Sequence, residues 1–477
     1  MRAETRKQEP VSKEEHVVKV KIGLEIHVYL FMENRTKLFC ECKIDKSSPP
    51  NTNICPICTS QPGAKPMLTN KEAVEKIIAI SLMLNCKINK RFLFQRKHYS
   101  WPDLPSGYQR TMSGAYSTPT AVNGEFHGIR ISDVHLEEDP AKWDPETGKV
   151  DYNRSGLPLA EIVTAPDFKT AAEVQDWLNK LLVTLSYVHA VEKNAGIKCD
   201  VNVSISPDFT RTEIKNVNSI TAIGEAIAHE IRRLAKQAQE GIEHTQQTRM
   251  WDDEKKETVF MRSKETALDY MFIPEPDLPV IKIHDTLLAE IQKKLPERPA
   301  DKLKKYIALK IDKTDAEIIS SEIILAALFD KVIKKVDPVF ASKWFRRDVI
   351  AAINANNIEL DELSISAEHL IDWFSLLNSG ELSPLIAKDI LEKFITENFD
   401  VRKYVHEHKL SAVKDSAELE KLCEEAVAQN PIALKEYLAG KEKALNAIVG
   451  SVMAQTKGKA DPAAVNRILK EIIEKKK

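Results

Sequence analysis

Glycine is scarce in this chain, with fifteen residues in 477. None of them falls into G-x-x-x-x-G-K-[ST] or into G-x-G-x-x-G behind a strand, so neither a P-loop nor a dinucleotide-binding turn is written here. The G-x-S-x-G elbow of serine hydrolases and the H-E-x-x-H of zinc proteases are missing as well. A nucleotide bound by such a chain must have its phosphates held by metal ions and cationic side chains. No apolar run approaches the ~18 residues that a transmembrane helix needs. The opening "MRAETRKQEPVSKEEH" is almost wholly polar and offers no apolar signal-peptide core. These absences predict a soluble, cytoplasmic protein with no membrane partner. Charge of one sign is lacking too: 69 basic residues stand against 71 acidic ones, a net of -2. Any surface for nucleic acid must therefore be local.

What is present begins with cysteine. Four of the seven cysteines, Cys40, Cys42, Cys55 and Cys58, form C-x-C, twelve residues, then C-x-x-C, in a loop rich in Pro, Asn and Ser. Paired hooks of this kind match the way four thiolates hold tetrahedral zinc, and the spacing favours that over four free thiols. A site closed by four cysteines has no open position, so its Zn²⁺ would be structural. Cys86, Cys199 and Cys423 stand alone and read as buried small hydrophobes.

The length suggests about three domains. Residues 1–16 read as a disordered extension. From Val17, "VVKVKIGLEIHVYL" alternates strictly, with Val18, Val20, Ile22, Leu24, Ile26 and Val28 on one face and Glu25 and His27 together on the other. Further strand patterns occur in "FHGIRISDVHLEED", "CDVNVSI" and "RTEIKNVNS", separated by helical ones. The order predicts an α+β domain with a mixed, largely antiparallel sheet, ending by residue 294. Residues 295–404 switch to helix formers, and residues 405–477 form a second helical part. In that part Leu445, Ile448, Val449, Val452 and Met453 make one stripe, Gly458 ends it, and Asp461-Pro462 opens a last helix. Residues 401–477 carry fifteen basic against eleven acidic residues, concentrated in "KGKADPAAVNRILKEIIEKKK".

Acidic side chains on the polar strand faces are the candidate chemistry. Glu25 and His27, then Glu137, Glu138 and Asp139, then Asp200 beside Asn202 and Ser204, then Glu213 could together bind Mg²⁺ through oxygens. Any one of these carboxylates taken alone reads better as a solvated strand face, His27 alone reads as readily as a structural histidine, and pattern alone does not bring these segments together.

The motifs "GLEIHV", the four-cysteine loop, "WPDLPSGYQ", "HLEEDPAK", "DYNRSGLPLAEIV", "CDVNVSI", "RTEIKNVNS", "MRSKE" and "DYMFIPEPDLP" occur in one order and spacing. In that arrangement the chain resembles the B subunits of tRNA-dependent amidotransferases, the GatB/GatE family. Its end, from "NPIALKEYLAG" on, is similar to that family's YqeY-like tail domain. The resemblance implies a cradle like that of glutamine synthetase over residues 17–294, a helical linker domain over 295–404, and a tRNA-binding tail over 405–477. It implies a ligase activity in which ATP phosphorylates the side-chain carboxylate of Glu on tRNA(Gln) or Asp on tRNA(Asn), and ammonia then displaces the phosphate. On this likeness the Mg²⁺ site maps onto Glu25, His27, Glu138, Asp200 and Glu213, with Glu137 adjacent, and these six residues are the catalytic candidates. It implies two partners, an amidase subunit GatA that releases ammonia and a small subunit GatC. One departure stands out: Ser106 follows "PDLP" where many members have Lys. The rival readings are a non-catalytic tRNA-binding scaffold and a stand-alone glutamine synthetase-like ligase. The first gives the acidic set no purpose, and the second leaves the helical half unexplained.

Overall fold

The alternation that starts at Val18 becomes strand β1 (Val20–Tyr29), and the cradle is built outward from it. The computed structural model describes residues 18–191, 197–263, 271–358, 360–363, 365–397, 399–412 and 416–475. The segment read as a disordered extension, 1–16, lies outside these. The described residues fall into two compact units that divide between Arg298 and Pro299.

The first unit holds a twelve-stranded sheet. Six further strands of it matter for the site: β2 (Tyr108–Thr111), β3 (Ile129–Glu138), β4 (Pro158–Thr164), β5 (Lys198–Ile205), β6 (Thr212–Val217) and β7 (Gln247–Asp252). Their order is β7-β6-β5-β1-β4-β3-β2. Every neighbouring pair in this path is antiparallel except β6 with β7, so the sheet is mixed and the fold is α+β.

Register then decides which side chains share a face. Ile22, Leu24 and Ile26 of β1 stand opposite Val203, Val201 and Cys199 of β5, while Ile26 and Val28 face Ile162 and Ala160 of β4. Ala160 and Ile162 continue to Leu136 and Val134 of β3. All of these are almost fully buried and belong to one apolar cluster. Helices α1 (Lys71–Met83), α2 (Ala171–Tyr187) and α3 (Ile220–Gln239) complete that cluster with Ile77, Ile78, Trp177, Leu178, Leu181, Ile223 and Ile227. Each begins at a side-chain cap, Asn70, Thr170 or Ser219, that accepts a backbone N–H of the first turn. At ~1.5–3 kcal/mol per large apolar side chain buried, this layer holds the sheet flat against the helices and leaves its other face to polar residues.

The second unit contains no strand among its described residues. It has two apolar clusters, one around Tyr306, Phe329, Phe345, Trp373, Phe374 and Phe394, the other around Leu419, Cys423, Leu445, Ile448, Val465 and Leu469. Gly458, at φ +76°, lies just beyond the helix Leu445–Gln455, and the Asp461 side chain caps the final helix by accepting from Ala463 and Ala464 N–H. Among the described residues no helix is long and apolar enough to cross a membrane.

Candidate active site

Partner residues in an antiparallel pair lie on one face with Cβ atoms about 5 Å apart. Glu25 of β1 stands opposite Asp200 of β5, and Asn202, two residues on, stands opposite Glu213 of β6. The ligating atoms of Glu25, Asp200 and Glu213 come within 4.8 Å of one another. In the other direction His27 stands opposite Glu161 of β4, and Glu161 opposite His135 of β3. Glu137 follows His135 at the strand period, and the ligating atoms of His27, Glu137 and Glu161 also lie within 4.8 Å of one another. Because Glu25 and His27 are neighbours on the same face of β1, the two groups lie side by side.

Each group encloses a protein cation. Lys215 Nζ lies 2.8 Å from Asp200 Oδ2 and 2.9 Å from Glu213 Oε1. His27 Nε2 lies 3.2 Å from Glu137 Oε1 and 3.5 Å from Glu161 Oε2. Burial opposes charge on His27, but Glu161 and Glu137 outweigh it and hold the ring's pKa well above the usual histidine value. His135 is wholly buried, with Nδ1 2.7 Å from Asp133 and Nε2 2.9 Å from Glu161. There too burial works against the charge, and the two carboxylates push the pKa up to about 10. Burial, with Glu161 and Glu213 nearby, raises the carboxyl of Glu25.

The carboxylates are oriented by neighbours. Asn202 Nδ2 donates to Glu25 Oε1 at 3.1 Å, and Thr248 Oγ1 on β7 donates to Glu213 Oε2 at 3.1 Å. Three buried polar atoms on this face meet no hydrogen-bond partner among the described residues: Asp200 Oδ1, Asn202 Oδ1 and His27 Nδ1. Asp200 Oδ1 and Asn202 Oδ1 are acceptors, which are seldom left so when buried, and a cation with its water shell would satisfy them.

Glu138 is placed apart from both groups. It accepts the Arg110 backbone N–H at 2.9 Å and the Arg110 guanidinium at 3.2 and 3.3 Å. Arg110 in turn reaches Glu275, which also binds Arg96 twice at 2.9 Å. Strand alternation sends Glu137 and Glu138 to opposite faces, so only the first joins His27. Asp139 accepts from Tyr29 OH at 2.7 Å and pairs with Arg154 at 3.1 Å. Burial pushes its carboxyl up to about 6. Ser106 lines a small cleft with Tyr108, Arg110, Glu138 and Asp139, its hydroxyl donating to Tyr108 O at 2.6 Å. Sequence reasoning did not single out Glu161, His135, Thr248 or Lys215.

The four loop cysteines do come together, their sulfurs all within 4.8 Å, with Cys58 Sγ 4.0 Å from Cys42 Sγ and 3.9 Å from Cys55 Sγ. Tetrahedral zinc with ~2.3 Å bonds sets its sulfurs ~3.8 Å apart, so the cluster fits a structural ion. Two donors support a charged sulfur: Cys55 N–H at 3.2 Å and the Nζ of buried Lys37 at 3.5 Å from Cys58. The Cys40 contact, the Cys55 N–H and the Lys37 charge draw Cys58 down to about 5 against the effect of burial. The loop is stitched to residues 150–156, with Asn51 N–H to Asp151, Asn53 N–H to Asn153 and Ser155 Oγ to Cys58 O.

Residues 20–289 match the family model described as the GatB/GatE catalytic domain, and residues 327–473 match that of the GatB domain. The chain is 41% identical over 472 residues to the B subunit of the aspartyl/glutamyl-tRNA(Asn/Gln) amidotransferase of Methanocaldococcus jannaschii, covering 96% of this chain and 98% of that protein. It is 41% identical over 455 residues to the protein of the same name from Methanobrevibacter smithii, covering 95% and 99%. With that of Methanothermobacter thermautotrophicus it shares 40% over 457 residues, covering 95% and 100%.

The cysteine geometry predicts one zinc per chain. Cys58→Ser should lose the metal and lower the melting temperature by several degrees, as loss of a few kcal/mol of metal-linked folding energy would. Elemental analysis with calorimetry checks this; metal-free protein of unchanged stability in chelator would remove zinc from the account.

Proposed function

The chain belongs to the GatB/GatE family, and on that premise we propose that it is the activating subunit of a tRNA-dependent amidotransferase. Its substrate is an amino acid already esterified to tRNA: Glu on tRNA(Gln), Asp on tRNA(Asn), or both. The observation that carries this reading is the convergence of Glu25, Asp200 and Glu213 with His27, Glu137 and Glu161 on one polar sheet face. A tRNA-binding scaffold has no use for five carboxylates gathered where RNA phosphates would approach.

The residues fit a metal-assisted phosphoryl transfer. Glu25, Asp200 and Glu213 offer only oxygens, the donor set Mg²⁺ takes, and the unpartnered Asp200 Oδ1 and Asn202 Oδ1 lie beside them. In the second group His27 can ligate only by giving up the proton that Glu161 and Glu137 favour, and its nitrogen is a softer donor than Mg²⁺ prefers, so that group is the weaker Mg²⁺ site of the two. Bound with ATP, Mg²⁺ supplies charge neutralisation to the phosphoryl group in flight. A substrate carboxylate oxygen attacks the γ-phosphorus, the bond to ADP breaks, and an acyl phosphate results. Ammonia then attacks the acyl carbon and phosphate leaves, giving the amide. The chain's own part is positional. Asn202 and Thr248 fix Glu25 and Glu213, and His135, gripped between Asp133 and Glu161, fixes Glu161.

Ammonia in this reading comes from a separate amidase subunit, GatA, with the small GatC as third member, since no glycine- and serine-rich nucleophile motif is present in the chain. The tail grips the tRNA body. Arg467 and Lys470 stand exposed on the final helix and supply phosphate contacts there.

Reconstitution with GatA and GatC, each misacylated tRNA, ATP and glutamine tests both parts. Asp200→Asn and Glu161→Gln should each lower tRNA-dependent ATP hydrolysis at least ~100-fold with circular dichroism unchanged. Normal rates in both variants would remove this face from the chemistry. The pair Arg467→Glu/Lys470→Glu should raise the KM for tRNA and reduce the slope of log KM against log salt by ~0.7–0.9 for every phosphate no longer neutralised. An unaltered salt series would make the tail an ordinary solvated helix.

A further inference from the structure

Lys215 stands among the carboxylates that a divalent ion would use. Its ammonium bridges Asp200 Oδ2 and Glu213 Oε1 at 2.8 and 2.9 Å, and these are two of the three carboxylates of the oxygen-only group. The third, Glu25, is held by Asn202 instead. Asp200 is 8% exposed, and the lysine satisfies only one of its oxygens; Oδ1 is buried and meets no hydrogen-bond partner among the described residues. The ligating atoms of the group lie within 4.8 Å of one another, so a divalent ion bound there would stand against the ammonium, and the two like charges repel. The lysine side chain is 28% exposed, so its route outward is open, and its four-carbon stem is flexible enough to take it.

We propose that Lys215 is a displaceable counter-ion of this site, competing with the divalent ion for Asp200 and Glu213 and, once displaced, serving as the cation that meets a nucleotide phosphate. This rests on the reading of the acidic face as a metal and nucleotide site, and deepens it. The role explains how carboxylates from three strands can be held together on one sheet face: the lysine lessens their mutual repulsion and yields to a stronger cation on loading. It also gives the phosphates of a glycine-poor site a protein charge to bind.

The test is Mn²⁺ binding to the full chain, followed by electron paramagnetic resonance at fixed ionic strength, with Lys215→Met, Lys215→Gln and Lys215→Arg beside the unchanged protein. Removing the competing charge should tighten Mn²⁺ binding about tenfold or more in the Met and Gln variants, while the Arg variant stays near the parent. At saturating Mn²⁺ the two neutral variants should bind ATP about tenfold more weakly than the parent. A lysine that is only a structural strut would leave Mn²⁺ affinity unchanged or weaken it, and that result overturns the inference. Loss of folding in both neutral variants does the same. Equal Mn²⁺ binding by all four proteins removes the lysine role and spares the metal reading; absence of binding in all four removes both.

Discussion

The molecule depends on the pleat of β1 and the register it imposes on its neighbours. Successive side chains of a strand point to opposite faces, so a slip of one residue would send Glu25 and His27 into the helical layer and bring Leu24 and Ile26 into the cleft. The apolar cluster under the sheet forbids that slip: Ile22, Leu24 and Ile26 are each 1% exposed or less. Packing energy on one face therefore fixes the chemistry on the other. Across β3, β4, β1, β5 and β6 the same phase carries Glu137, Glu161, His27, Glu25, Asp200 and Glu213 into a row.

Such a row is costly to assemble, since buried like charges repel and lose their hydration. The structure meets the cost with internal cations. His135 and His27 serve the Glu161 side, Lys215 serves Asp200 and Glu213, and Arg110 with Arg96 serves Glu138 and Glu275. The zinc-type loop belongs to a different part of the design. Its bonds run to residues 150–156, and Arg154 in that segment reaches Asp139 at the end of β3. It braces the segment that holds Asp139 and contributes no group to the acidic row.

Much of this could be read from the sequence for definable reasons. Strict period two exposed β1 and the shared face of Glu25 and His27, and the cysteine spacing is a local signal that needs no fold to interpret. Glu161 left no such trace: within "PLAEIVT" it is a single carboxylate in an otherwise apolar run, and only its register against His27 reveals it. Glu137 and Glu138 are adjacent, and the phase of β3 is ambiguous because its pairing shifts register between Asp133 and Ile131. The partner that holds Glu138, Arg110, comes from β2, and the buried carboxylate behind it, Glu275, from far along the chain. Contacts between distant strands carry no periodic signature. In the sequence Lys215 is simply a basic residue two positions beyond Glu213; its bridge to Asp200 needs β5 and β6 side by side.

The central claim is that the strand register builds two adjoining cation sites from these six side chains. Anomalous diffraction from crystals of the protein soaked in Mn²⁺ and a nucleotide tests it most directly. The account predicts one peak within ligating distance of Glu25, Asp200 and Glu213 and a second within ligating distance of His27, Glu137 and Glu161. Peaks at Glu138 and Arg110 instead, or an acidic face with no peak while the nucleotide is bound elsewhere, would contradict it.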